Sequence, residues 1–116
     1  MAETASHMED LTQKKCKPCE GGIPPMSEKQ IREYLRRVPG WEFLGGEITR
    51  SFAFKNYYQT TAFVNAVAWI AHSEDHHPMM EFGYKNCTVR YSTHAISAIS
   101  ENDFICAAKI NTLLKT

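Results

Sequence analysis

What this sequence of 116 residues lacks narrows it before any motif is read. No stretch approaches the roughly 18 consecutive apolar residues that a membrane span requires. The start, MAETASHMED, has no basic patch followed by an apolar run, so a secretory leader is not expected. Net charge is missing as well: thirteen Lys and Arg balance thirteen Asp and Glu, whereas nonspecific nucleic-acid binding needs a cationic face. YLRR is the densest basic run in the region expected to fold. Neither CEGG nor LGGE matches a phosphate loop or a dinucleotide fingerprint, and no G-x-S-x-G elbow is present. Cysteines number four, and without an export signal they read as reduced thiols in the cytoplasm, with the nucleus as the alternative compartment.

What is present is an ordinary globular mix, 43% hydrophobic and 22% charged, enough for one domain and too short for two. Residues 1–22 read as an N-terminal arm and 23–116 as a single domain. The SHM before Met8 resembles a tag remnant, so Met1–His7 stay outside the fold argument. CKPC (Cys16 to Cys19) is a lone C-x-x-C. No second C-x-x-C completes a structural zinc site, and the Gly- and Pro-rich surroundings are not the strand–helix junction of a thioredoxin site. The reading preferred for it is an arm, packed on the domain or left loose.

Periodicity orders the rest. Ser27 and Gln30 form an S-x-x-Q capping box ahead of Ile31, Leu35 and Val38, and Pro39–Gly40 stop that helix. Trp41 and Phe43 open an extended segment, LGG turns it, and EITRSFAF places Ile48, Phe52 and Phe54 at even spacing with Arg50 interrupting the row. Phe63, Val67, Ile70 and Ala71 have helical spacing. MMEFGY alternates, with Met80, Phe82 and Tyr84 on one side. After a turn at KN, CTVRYST sends Cys87, Val89, Tyr91 and Thr93 one way and Thr88, Arg90, Ser92 and His94 the other. A last helix is expected from Ser100 as cap and Asp103 at its third position. The order α-β-β-α-β-β-α, with hairpin-length turns inside each strand pair, predicts an α+β two-layer sandwich: a four-stranded antiparallel sheet with three helices on one face. Apolar residues on the outer face of the fourth strand and on the last helix exceed what such a core needs, so a homo-oligomer is expected.

SEDHHPMMEF sets His76 and His77 before Pro78, at or just past the end of the middle helix. His94 is expected at the end of the fourth strand and Asp103 at the start of the last helix, so element ends can bring all four to one rim. Three histidines and a water can hold zinc. Adjacent histidines before a proline aim their rings apart, however, and the spacing is not H-E-x-x-H, which favours metal-free acid–base chemistry near neutral pH. No nucleophile is indicated: Cys87 faces away from His94, and Ser92 lies beside His94 rather than paired with it. His72 is read as a surface residue or one behind the site.

EDHHP, followed one hairpin later by YSTHAISAISENDFICAAKI, resembles the pterin-4a-carbinolamine dehydratases. PGWEF, ITRSFAFKNYYQTTAFVNAVAWIA and the KKCKPCEGG arm are similar to other blocks of that family, so the likeness runs from about Cys16 to Leu114. The resemblance implies the same fold. It also implies a lyase that removes water from 4a-hydroxytetrahydrobiopterin to give quinonoid dihydropterin, with no cofactor and no metal. By motif position, His76, His77, His94 and Asp103 match the catalytic set, and His76, His77, Pro78, Thr93, His94, Ala95 and Ile96 match residues that line the pterin. Many members carry Glu where His72 stands, while here acids follow at Glu74 and Asp75. The partners implied are the pterin and further copies of the chain, as homodimer or homotetramer. The alternative function is a protein-binding dimerisation cofactor of a transcription factor.

Overall fold

The computed structural model describes residues 10–18 and 22–114. Met1–His7, set aside above, and Cys19 of the C-x-x-C lie outside them. Three α-helices, α1 (Glu28–Leu35), α2 (Tyr57–Glu74) and α3 (Glu101–Thr112), alternate with two strand pairs, β1 (Glu42–Leu44) with β2 (Glu47–Ala53) and β3 (Met79–Phe82) with β4 (Asn86–Tyr91). Short 3-10 turns at Leu11–Gln13 and His94–Ile96 complete the set. The strands form one antiparallel sheet in the order β1-β2-β4-β3. The two-layer α+β arrangement expected from the sequence is the one observed. No helix among the described residues is long and apolar enough to cross a membrane.

Local chemistry accounts for the boundaries. Ser27 and Gln30 make the foreseen capping box: the Gln30 N–H donates to Ser27 Oγ at 3.2 Å and the Ser27 N–H to Gln30 Oε1 at 2.9 Å. Leu44 pairs with Glu47 across Gly45–Gly46, whose φ values of 60° and 81° give the left-handed two-residue turn that strand twist favours. In β2 and β4 the side-chain period of two puts Ile48 opposite Tyr91 and Phe52 opposite Cys87, all buried under the helices. The opposite sheet face is polar, with Ser51 bonded to Thr88 and Arg90 paired with Glu81.

Arg50, which breaks the apolar row of β2, still belongs to the inner face. Its guanidinium lies 4.5 Å from the Phe52 ring centre and donates to Asn111 Oδ1 and to the Pro39 carbonyl. Gly40 (φ 92°) leaves room for it, since a Cβ there would stand 2.6 Å from Arg50 Nε.

One expectation is corrected. The last helix is not a source of spare apolar surface, because α3 is buried from Asn102 to Ala108 and again at Ile110. The sheet covers one side and the arm covers another, with Leu11 packed in the core. The outer face of β4 is Thr88 and Arg90, polar rather than apolar. The exposed large apolar groups are Leu44 on β1, Tyr57, Tyr58 and Trp69 on α2, Met79 and Phe82 on the edge strand β3, Tyr84 beyond it, and Leu113 and Leu114 just past the end of α3.

Candidate active site

The end of α2 places the first histidine. Asp75 adopts the left-handed conformation (φ 53°, ψ 43°), its N–H reaches the His72 carbonyl, and the His76 N–H reaches back to the Ala71 carbonyl at 3.0 Å. These two reverse bonds are a Schellman ending, which satisfies helix carbonyls and turns the chain sharply inward at His76. Pro78 then forces extension into β3. The His76 ring is buried against Tyr91, with centroids 5.2 Å apart and planes 16° from parallel, and the Tyr91 hydroxyl donates to the His76 carbonyl at 2.9 Å.

The start of α3 supplies the partner. Asp103 is fully buried, yet its carboxylate is saturated. Oδ1 lies 2.7 Å from His76 Nε2, while Oδ2 accepts from Thr93 Oγ1 at 2.8 Å and from the Ser100 N–H at 2.9 Å. The Thr93 proton is committed to Asp103, so Ser100 Oγ donates to Thr93 Oγ1 across 2.7 Å. The acid is therefore both the second half of the helix's capping box and the anchor of His76. For His76, burial lowers the pKa, but the hydrogen bond and charge of Asp103 outweigh it, and the net shift is upward. The pair favours an imidazolium held in one orientation.

His76, His77 and Pro78 share the wall of a groove of about 310 Å³ with Ala71, His72, Asp75 and Met80. His77 is exposed there. Thr93 stands behind Asp103 with its side chain turned inward, so its place is supportive of the acid rather than open to a ligand. β4 ends at Tyr91, three residues before the position expected for His94, because Thr93 pairs with Ala98 and closes a tight 3-10 loop. His94 and Ala95 are exposed on that loop and Ile96 is half-buried. None of these three lines the groove, and the His94 carbonyl accepts the Ser97 N–H at 3.1 Å while its ring stays exposed. The structure thus joins His76 to Asp103 and Thr93, sets His77 and Pro78 beside them, and leaves His94, Ala95 and Ile96 on the adjoining loop.

The H-x-x-x-H spacing of His72 and His76 does not make a chelating pair. The helix ends between them, His76 is taken by Asp103, and His72 is exposed against Trp69. No group of three or more His, Cys, Asp or Glu among the described residues is arranged to hold a metal ion. A larger cavity, about 620 Å³ between the arm and α1, is lined by Ile23, Pro24, Met26 and Tyr34 and by none of the histidines.

Two groups escaped sequence reasoning. Tyr91 was legible only as a buried strand residue. Glu74, the last residue of α2, is buried, accepts the Cys16 N–H at 2.8 Å and pairs with Lys109 at 2.6 Å. Burial raises its pKa, but these partners outweigh burial and hold it below the usual carboxylate range. An acid at a helix C-terminus opposes the helix dipole and calls for a cation, the one signal that could have flagged it.

Known proteins resemble this chain in sequence and in fold. The family model described as pterin 4 alpha carbinolamine dehydratase matches residues 24–113. A protein of Nitrosospira multiformis, provisionally named pterin-4-alpha-carbinolamine dehydratase, is 59% identical over 108 residues, covering 93% of this chain and 96% of that one. A similarly named protein of Nitrosomonas europaea is 56% identical over 108 residues, covering 92% and 96%. The crystal structure of a transcriptional coactivator/pterin dehydratase from Brucella melitensis superimposes with a TM-score of 0.76 at 31% identity, covering 79% of this chain and 100% of that one.

Proposed function

The chain belongs to the pterin 4 alpha carbinolamine dehydratase family, a family of lyases, and from that premise we propose that it converts 4a-hydroxytetrahydrobiopterin to quinonoid dihydropterin and water. The observation that carries the reading is the buried 2.7 Å His76–Asp103 pair at the groove shared with His77 and Pro78. Dehydration breaks the C4a–O bond and removes the proton of the neighbouring ring nitrogen. Hydroxide leaves poorly, so an imidazolium that protonates the departing oxygen speeds the step. His76 or His77 supplies that proton, and His94, exposed on the loop after Thr93, accepts the ring proton. Asp103 orients His76 and stabilises its cation. Pro78 and the loop His94–Ile96 frame the pterin, while Thr93 holds Asp103 from behind. No metal takes part, and the paired thiols near the site suit the reducing cytoplasm.

The test is an assay with synthetic carbinolamine after dialysis against EDTA. Turnover well above the uncatalysed loss of water is expected, undiminished by the chelator. Absence of acceleration rejects the dehydratase reading, and activity abolished by EDTA and restored by zinc alone rejects the metal-free mechanism.

A second reading, a dimerisation cofactor of a transcription factor, is favoured by one observation: the Brucella neighbour carries the coactivator description beside the dehydratase one. Both readings accommodate self-association. The exposed Trp69, Met79 and Phe82 lie on α2 and on the edge strand β3, a strand with an unpaired side. A closed, symmetric dimer or tetramer that covers them is expected. Light scattering at micromolar concentration should show a mass at least twice the 13.2 kDa of one chain. A monomer alone rules this out.

A further inference from the structure

The arm and α3 bring together two thiols that the dehydratase chemistry does not use. Cys16 Sγ lies 3.7 Å from Cys106 Sγ, although 90 positions separate them in the chain. The approach is built rather than incidental. The Cys16 N–H donates to the buried Glu74 carboxylate, the next N–H, of Lys17, donates to Asn102 Oδ1 at 3.0 Å, and Asn102 Nδ2 donates to the Lys17 carbonyl at 2.8 Å. Asn102 and Cys106 are four apart on α3 and so lie on one face, which sets the docked Cys16 over Cys106.

We propose that Cys16 and Cys106, and not the sequence neighbours Cys16 and Cys19, form a reversible disulfide that fastens the arm to α3. A disulfide needs about 2.05 Å between sulfurs, so the gap must close by about 1.7 Å. Cys16 sits in irregular backbone between the Leu11–Gln13 turn and α1, where such a movement meets no helix or ladder bond. The oxidant is a small dialkyl disulfide of the glutathione type. Cys106 is fully buried and Cys16 half-buried, so the oxidant enters at Cys16. The Cys16 sulfur attacks it, giving a mixed disulfide and one small thiol, and Cys16 loses its proton. Cys106 then attacks Cys16 Sγ and expels the second small thiol. Two protein thiols are oxidised and one disulfide is reduced to two thiols. Ionisation bears on the rate of the first step. The hydrogen bond to Cys106, then burial, pushes the Cys16 thiol well up, whereas the bond from Cys16 lowers Cys106 against the effect of burial. Entry at Cys16 is therefore the slow step; once the mixed disulfide has formed, the Cys106 sulfur already stands beside it and displacement is intramolecular. The inference does not depend on the dehydratase reading.

The experiment uses the full chain, as wild type and as a Cys19→Ser, Cys87→Ser variant, incubated with oxidised glutathione and mapped by mass spectrometry of protease fragments. The expected result in both is a dithiothreitol-reversible cross-link between the fragments holding Cys16 and Cys106, with little glutathione adduct. The cross-linked variant should also unfold roughly 10 °C higher than its reduced form, because the bond constrains a long loop of the unfolded chain. Adding Cys106→Ser to that background should make the Cys16–glutathione adduct accumulate. Cys16→Ser, at an irregular half-buried position, should abolish the cross-link even if the buried substitution fails to fold. A predominant Cys16–Cys19 bond in the wild type, a persistent Cys16 adduct with Cys106 present, or no reaction overturns the proposal.

Discussion

Alanine at His77 or at His94 is expected to cut turnover of the carbinolamine about 10²-fold or more, with less than about 1 kcal/mol lost in stability. Both rings are exposed, so their truncation opens no cavity and strands no buried partner. The two losses arise from proton transfer and should not multiply: if both histidines serve one proton path, the double variant loses less than the product of the single effects. His72→Ala serves as control. It lies one turn earlier, on the groove wall but with its ring exposed against Trp69 and given no proton to move, so a loss much smaller than that of His77→Ala or His94→Ala is expected. Near-full turnover in both single variants would reduce these histidines to surface residues and leave only the buried pair to explain the site.

Asp103→Asn is expected to damage activity and fold together, lowering turnover at least tenfold and stability by about 2–4 kcal/mol. The carboxylate holds three donors in a fully buried position, and an amide in its place turns at least one donor toward another. The pH dependence separates the ion pair from mere packing. The His76 pKa is raised in the folded protein, so its contribution to stability is fully present below the unfolded value, about 6.5, and is lost as pH rises through the higher folded value. Urea unfolding of the parent should therefore show stability from this source falling as pH rises above about 6.5, and Asp103→Asn should lack that part of the slope. An unchanged slope in the variant would mean that Asp103 does not hold the His76 cation.

Much of the frame was legible because it rests on local rules. Ser27 with Gln30 and Ser100 with Asp103 cap helices by reaching three residues along the chain, and Gly45–Gly46 adopt a turn that few other residues tolerate. The alternation Cys87, Val89, Tyr91, Thr93 marks one buried face because the strand period is two, and all four are buried. Arg50 was legible only as an interruption of the apolar row, because Asn111 and the Pro39 carbonyl, which make its inward guanidinium tolerable, are distant in sequence. The surplus apolar surface was misplaced on α3 because periodicity cannot tell which segment will cover a helix, and here Leu11 of the arm does.

The candidate site divides in the same way. The sequence alone determined which residue types were available and roughly where they fall: paired histidines before a proline, a third histidine expected at a strand end and found in the loop beyond it, and an acid inside a helix cap. Those are consequences of dihedral preference and hydrogen bonds over three or four residues. That His76 rather than His77 meets Asp103 was decided only in three dimensions, by a left-handed Asp75 that turns one ring inward onto Tyr91 and leaves the next outside. The same holds for Thr93 behind the acid, for the buried Glu74 and for Cys16 over Cys106. A buried charge or thiol finds its partner through packing between elements remote in the chain, and no local propensity encodes the identity of a partner 27, 58 or 90 residues away.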